Sequence, residues 1–257
     1  MKAGVILVAG LVLASGAEAM QCNARSGDRT TALVELYTSE GCDSCPPADR
    51  WLSSLGSRGY APERVVPIAL HVDYWDYIGW KDPFARALFG ARQRKLAQVM
   101  RAKIVYTPQV LLQGEDFRRW NTGAFDEAVA RINARPARAR IALSLAARGK
   151  EAFDVEARAE LLDRSQAAEA TLYLASYENK LVSQVAAGEN RGRTLTHDFV
   201  VFEWLGPLAF QPDGRLAERR MLPLLPKAVP KHSGVVAFVQ NRATADVLQA
   251  LMLPACP

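Results

Sequence analysis

The sequence predicts an α/β N-terminal half followed by an all-β, sandwich-like C-terminal half. Strand and helix patterns alternate as far as Arg135-Pro136, and mainly strand patterns follow. Composition agrees with folded structure throughout: 257 residues, 49% hydrophobic and 23% charged, are those of a globular chain of one large or two ordinary domains. The expected division is a leader over 1–19, an α/β domain over 20–136 and a β domain over 137–257.

Each element has its own signal. Ala32 to Thr38 (ALVELYT) reads as a buried strand, followed by a loop over Ser39 to Cys45. A helix follows from about Pro47 to Ser57, where proline is tolerated because a first-turn N–H has no partner to lose. Trp51, Leu52 and Leu55 give it an apolar face. Arg64 to Val72 (RVVPIALHV) is apolar enough for a central strand. Asp73 to Asp82 is an aromatic-dense loop, and Pro83 opens a helix expected to reach Lys103. Val110 to Gln113 is a short strand with a hairpin partner at Phe117 to Trp120, and Thr122 to Ala134 is a helix. Beyond it, strands are expected at 140–146, 153–159, 170–177, 195–203 and 234–240, with the proline-containing stretch 211–231 as a loop.

The opening residues, MKAGVILVAGLVLASGAEA, form an export signal: Lys2, an apolar run from Gly4 to Ala14, and a small-x-small cleavage site ending at Ala19. The run is shorter than the roughly 20 residues that span a bilayer. A periplasmic or secreted protein, free of the membrane after cleavage, is expected. The net charge of +5 is scattered, and no aromatics interleave the basic clusters, so a solvated basic surface is expected and nucleic-acid binding is not. In an oxidising compartment neighbouring thiols pair. Four cysteines allow three pairings, of which 42–45 with 22–256 is the economical one. A bridge between residues 22 and 256 closes nearly the whole chain, for which loop entropy gives about 4–5 kcal/mol.

The chemistry concentrates in VELYTSEGCDSCPP, residues 34–47, a C-x-x-C pair set between a strand and a helix. A helix N-terminus stabilises a thiolate, which makes Cys42, the outer and more exposed cysteine, the nucleophile. Cys45 resolves the mixed disulfide from the helix start. Gly41 precedes the pair, Asp43 adds negative charge, and Pro46 and Pro47 remove helix-start amides. The added charge and the missing amides point to a disulfide less oxidising than that of a dedicated oxidase.

With Thr107-Pro108 opening a later strand, the order of elements resembles the thioredoxin superfamily. That resemblance implies a cis Pro108 facing Cys42 and pairing Thr107's backbone with an extended substrate. The Tyr74 to Met100 segment is then an insertion. It also places Glu35 where the superfamily keeps a buried acid that relays protons to Cys45, against the plainer reading of a paired strand-face charge. The segments VELYTSEGCDSCPPAD, ALHVDYWDYIGWKDPFA, VYTPQV and GENRGRTLTHDFVV look more closely like the bacterial exported family called domain of unknown function 1223. The resemblance spans nearly the whole mature chain and implies a thioredoxin-like fold without fixing an activity.

Three functions are open at this stage. The first is a thiol–disulfide oxidoreductase using Cys42, Cys45, Thr107, Pro108 and Glu35, needing no cofactor and acting with a protein thiol or disulfide substrate and a redox partner. The second is copper or zinc handling by Cys42, Cys45 and His71, two thiolates and an imidazole. The third is a non-catalytic binding module. His197 and His232 read as isolated and structural. Asp73, Tyr74, Trp75, Asp76 and Trp80 either line a groove or stitch their loop to the sheet.

Overall fold

The computed structural model describes residues 21–256. The export signal expected over 1–19 lies outside the described residues. The chain opens with β1 (Gln21–Arg25) and β2 (Ala32–Thr38), then α1 (Pro46–Ser53), β3 (Val65–His71) and α2 (Ala87–Val99). Next come β4 (Gln109–Leu112), β5 (Glu115–Asp116) and α3 (Gly123–Asn133), where the Thr122 hydroxyl accepts from the Ala124 amide and caps the helix. The second half is β6 (Ala139–Arg148), β7 (Ala152–Leu161), β8 (Ala170–Glu178), β9 (Leu181–Gln184), β10 (Thr194–His197) and β11 (Val200–Ala209). It closes with β12 (Arg215–Pro223), β13 (Ser233–Asn241) and β14 (Val247–Pro254). No helix among the described residues is long and apolar enough to cross a membrane.

The expectation of a thioredoxin-like α/β domain followed by a separate β-sandwich is overturned. Strands from both sides of residue 136 form one eight-stranded sheet in the order β14-β13-β8-β11-β3-β2-β4-β5. The described residues are predominantly strand, with three α-helices set on this large mixed sheet. The junction is physical: β3 has β2 on one side, and its other edge is closed by β11, parallel to it, through Val200 opposite Ala69. The Ala69 amide donates to the Phe199 carbonyl at 2.8 Å. A central strand buried on both faces needs two hydrogen-bonded neighbours, and the C-terminal half supplies the second. A second sheet, β1-β6-β7-β12, stacks on part of the first, and β9 and β10 form a two-stranded ribbon.

Alternation along each strand divides the core. Leu33 and Tyr37 of β2 face α2 through Phe89 and Leu96, and Tyr173, Val236 and Phe238 continue this layer into the second half. Val34 and Leu36 face α1 and α3 through Leu52, Leu55, Phe125 and Val129. Leu172 and Leu174 of β8 meet the four-stranded sheet through Leu143, Phe153 and Val155. One face of the large sheet is thus covered by α2, and the other by α1 and α3 beside the smaller sheet. Two disulfides are formed, Cys22–Cys256 and Cys42–Cys45.

Candidate functional site

Cys42 and Cys45 sit where β2 hands the chain to α1. Cys45 precedes the helix in helical conformation (φ −75°, ψ −39°), and its carbonyl accepts the amides of Ala48 and Asp49 at 2.9 and 3.1 Å. Thr107-Pro108 is cis and leads into β4, which runs antiparallel to β2 with Gln109 opposite Tyr37. The Thr-Pro pair therefore lies at the same rim of the sheet as the C-x-x-C loop. Trp75 joins the two: its Nε1 donates to Thr107 Oγ1 at 2.7 Å, and its Cβ would lie 2.9 Å from a Cβ on Gly41. Gly41 is thus required by the close approach of Trp75, a tryptophan from another loop.

The expectation of an exposed Cys42 is not met, since Cys42 and Cys45 are both 0% exposed. The connection between β9 and β10 lies over their loop. Asn190 Nδ2 donates to the carbonyls of Glu40 and Cys42 at 2.8 and 2.9 Å, and the Glu189 carboxylate accepts from the Asp43 amide at 3.1 Å. Arg193 holds Asn190 through Nη1 to Oδ1, 2.8 Å, and Gly188, at φ +71°, lets the turn pack on Ile78 and Trp80.

Glu35 is not brought to the disulfide. It occupies the α2 side of β2, opposite the face that packs α1, and is clamped by Arg92 through two hydrogen bonds of 2.8 and 2.9 Å. Tyr37 Oη donates to it at 3.0 Å. Burial, then the Glu35 charge, lift the Tyr37 phenol well above its ordinary value, while for Arg92 burial is outweighed by Glu35 and the guanidinium is held charged. The proton relay implied for Glu35 is replaced by a structural ion pair. His71, the imidazole of the copper- or zinc-handling reading, has Nδ1 bonded to Asp82 Oδ2 at 2.7 Å. Among the described residues no group of three His, Cys, Asp or Glu side chains is arranged to hold a metal ion.

Behind the C-x-x-C loop lies a second buried polar cluster. Asp82 Oδ2 accepts from the Glu40 amide at 2.8 Å as well as pairing with His71, and Asp82 Oδ1 accepts from the Phe84 amide at 2.9 Å. Glu40 Oε1 pairs with His197 Nε2 at 3.0 Å, and Glu40 Oε2 accepts from Trp80 Nε1 at 2.8 Å. The rings of His71 and His197 meet edge to face at 4.9 Å, with Phe84 against both. Asp49 of α1 completes the group. Burial pushes its carboxyl up, and the nearby imidazoles of His197 and His71 pull it part of the way back. For His71, burial is outweighed by the Asp82 charge and hydrogen bond, so its pKa is raised; Asp82 is lowered against its own burial by the same pairing.

Glu40, Asp49, Asp82, His197 and Asn190 were missed by sequence reasoning as site residues. The aromatic loop does the stitching that one of its two readings anticipated, with Tyr74 Oη bonded to Gln93 at 3.1 Å beside the Trp75 and Trp80 contacts. A usable signal existed: GENRGRTLTHDF carries Glu189, Asn190 and His197 within one of the segments on which the family resemblance rests.

The model of the protein family of unknown function DUF1223 matches residues 33–240. The chain belongs to this family. That span takes in both cysteines of the C-x-x-C pair, the aromatic loop and the capping turn. Among solved structures, the crystal structure of protein AGR_C_4864 from Agrobacterium tumefaciens is similar at TM-score 0.64 and 24% identity, covering 89% of this chain and 96% of that one. HBP35 of Porphyromonas gingivalis is similar at TM-score 0.66 and 17% identity, covering 90% of this chain and 76% of that one. Both likenesses concern the fold. No curated protein sequence matches the chain.

Proposed function

We propose that Cys42–Cys45 is a redox-active disulfide of an exported protein, exchanging with protein thiols when the turn bearing Glu189 and Asn190 moves off it. The observation that carries this reading is what stands behind the disulfide. Glu40, Asp49, His71, Asp82 and His197 are all buried there, at considerable desolvation cost. Cys22–Cys256 has apolar company instead, with Cys22 packed against the sandwich core. A bridge that only fastens the chain needs no buried acids and imidazoles.

In this reading a thiolate attacks Cys42, Cys45 leaves, and Thr107-Pro108 at the same rim orients the substrate backbone. Export is supported by the leader-like residues 1–19 and by the two disulfides. The test is a redox titration of the intact protein in glutathione buffers, with thiols trapped and near-ultraviolet dichroism recorded. Reversible opening of Cys42–Cys45 in a natively folded chain, with disulfide-reducing activity lost in Cys42→Ser, is the expected result. A pair that opens only as the protein unfolds makes the bridge structural and ends the proposal.

A further inference from the structure

Two buried imidazole nitrogens of the cluster have no hydrogen-bond partner, His71 Nε2 at the end of β3 and His197 Nδ1 on β10, and beside them the Thr38 hydroxyl at the end of β2 and the Asp49 carboxylate on α1 face each other in a contact too poorly aligned to count as a full hydrogen bond. Thr38 and His71 are 0% exposed, His197 2% and Asp49 7%. Leaving a buried polar atom unpaired costs about 1–3 kcal/mol, so two unpaired imidazole nitrogens beside a strained Thr38–Asp49 contact point to a role other than stability. The arrangement is orderly. Each imidazole gives one nitrogen to a carboxylate whose oxygens are already engaged, Asp82 for His71 and Glu40 for His197, and keeps the other uncommitted. Asp49 lies close enough to both rings to feel their charge. It is also four residues beyond Cys45 on a helical backbone, with its amide bonded to the Cys45 carbonyl, and residues so spaced share one helix face.

We infer that Asp49, backed by His71 and His197, handles the proton that must accompany opening and closing of the Cys42–Cys45 disulfide. The inference rests on the redox reading above. A thiolate of the reductant, a protein or small-molecule thiol, attacks Cys42 Sγ. A new S–S bond forms, the Cys42–Cys45 bond breaks, and its electron pair goes to Cys45 Sγ. The Asp49 carboxyl supplies the proton to that sulfur, and the His71–His197 pair, with its uncommitted nitrogens, restores it. A second thiolate of the reductant then attacks the reductant sulfur of the mixed disulfide, releasing Cys42 as thiolate, which takes a proton from solvent. Two thiols have become one disulfide, and the protein has gained two electrons and two protons. Asp49 is the general acid of this step, acting on Cys45 from within the fold. The charged and titratable groups facing it are His71 on β3, His197 on β10, and Asp82 behind His71, with Glu40 holding His197.

The experiment measures the rate of dithiothreitol reduction of Cys42–Cys45 from pH 5 to 9 in the intact protein and in Asp49→Asn. Taking the ratio of the two rates cancels the ionisation of the reagent. The wild type is expected to be faster by about 100-fold at the acid end, as general-acid catalysis typically provides. The ratio should fall toward unity as Asp49 ionises, and Asp49→Glu should recover part of the rate. The rates of His71→Gln and His197→Gln, each divided by the wild-type rate at the same pH, should vary with pH because the proton donor turns at a displaced pH, and these ratios carry the test if Asp49→Asn does not fold. A wild-type to Asp49→Asn ratio that stays flat across pH, or pH-independent ratios to wild type in both histidine variants, overturns the inference. If the wild-type pair cannot be reduced in the folded state at all, it is the redox reading that fails instead.

Discussion

Two buried ionic clusters flank β2, and they are built on opposite principles. On the α2 side, Glu35 receives both arms of Arg92, Tyr37 adds its hydroxyl, and Arg92 also reaches Gln240 Oε1 at 3.0 Å. Its guanidinium lies within 4.8–5.3 Å of the ring centres of Tyr173, Trp204 and Phe238. No fully buried side-chain polar atom of Glu35, Tyr37 or Arg92 lacks a hydrogen-bond partner. At the rim, beside α1, the Asp49–His71–His197 group is equally buried but keeps several atoms uncommitted. Saturation marks a cluster that holds the sheet together, and uncommitted donors and acceptors mark one poised to exchange protons.

The sharpest way to break this contrast is Arg92→Leu. It leaves Glu35 an uncompensated buried charge, and the expected loss is about 3–5 kcal/mol in urea denaturation. Adding Glu35→Leu should return most of it, and neither change should shift the redox behaviour of Cys42–Cys45. A shift comparable to that of Asp49→Asn would dissolve the distinction between the clusters. Replacing Cys22 and Cys256 by serine should cost about 2–5 kcal/mol, again without altering exchange at the other pair. Asn190→Ala should cost about 1–2 kcal/mol through two lost hydrogen bonds to buried carbonyls, and should raise the rate at which small thiols reduce Cys42–Cys45. An unchanged rate would show that the turn does not guard the sulfurs.

The smallest expected effect is a pH dependence of opposite sign within the rim cluster. His71, with its folded pKa raised, stabilises fully below its ordinary value of about 6.5 and loses that contribution as pH rises through the folded value. Asp82, with its folded pKa lowered, contributes fully above about 4 and loses this as pH falls through the folded value. The pair therefore supports the fold most between about 4 and 6.5. Asp49 has the sign of His71 and opposes Asp82, since its raised pKa makes the fold lose stability as pH climbs past about 4. Denaturant midpoints measured from pH 4 to 8 should show a shallower alkaline decline in Asp49→Asn and a flatter profile in His71→Gln.

Local pattern made β2 legible to the residue, and β3, α1, α3 and β6 to within a few, because each is a continuous apolar run or carries a periodic apolar face. The second helix begins at Ala87, later than Pro83, because Asp82 holds the Phe84 amide and Arg86 is extended (φ −137°). It ends near Met100, where Arg101 takes φ +54°. β12 hid in the stretch expected to be a loop: only Leu216 and Leu222 of its nine residues are buried, and it ends on Pro223. The interdomain error came from treating β3 as complete with its sequence neighbours, when its second partner lies beyond residue 136. The C-x-x-C pair could be read from spacing alone. The rim cluster could not, since Glu40 and His197 are joined across 157 positions and no local periodicity reports such a meeting.

The bridge from Cys22 to Cys256 makes the described chain almost a covalent ring. Tension applied at residues 22 and 256 would run through two sulfur atoms and leave both sheets unloaded. β1 and β14, the strands next to those cysteines, cannot be peeled away by their ends while the bridge stands. Unravelling must begin in an internal loop, or wait until a reductant has cut the ring.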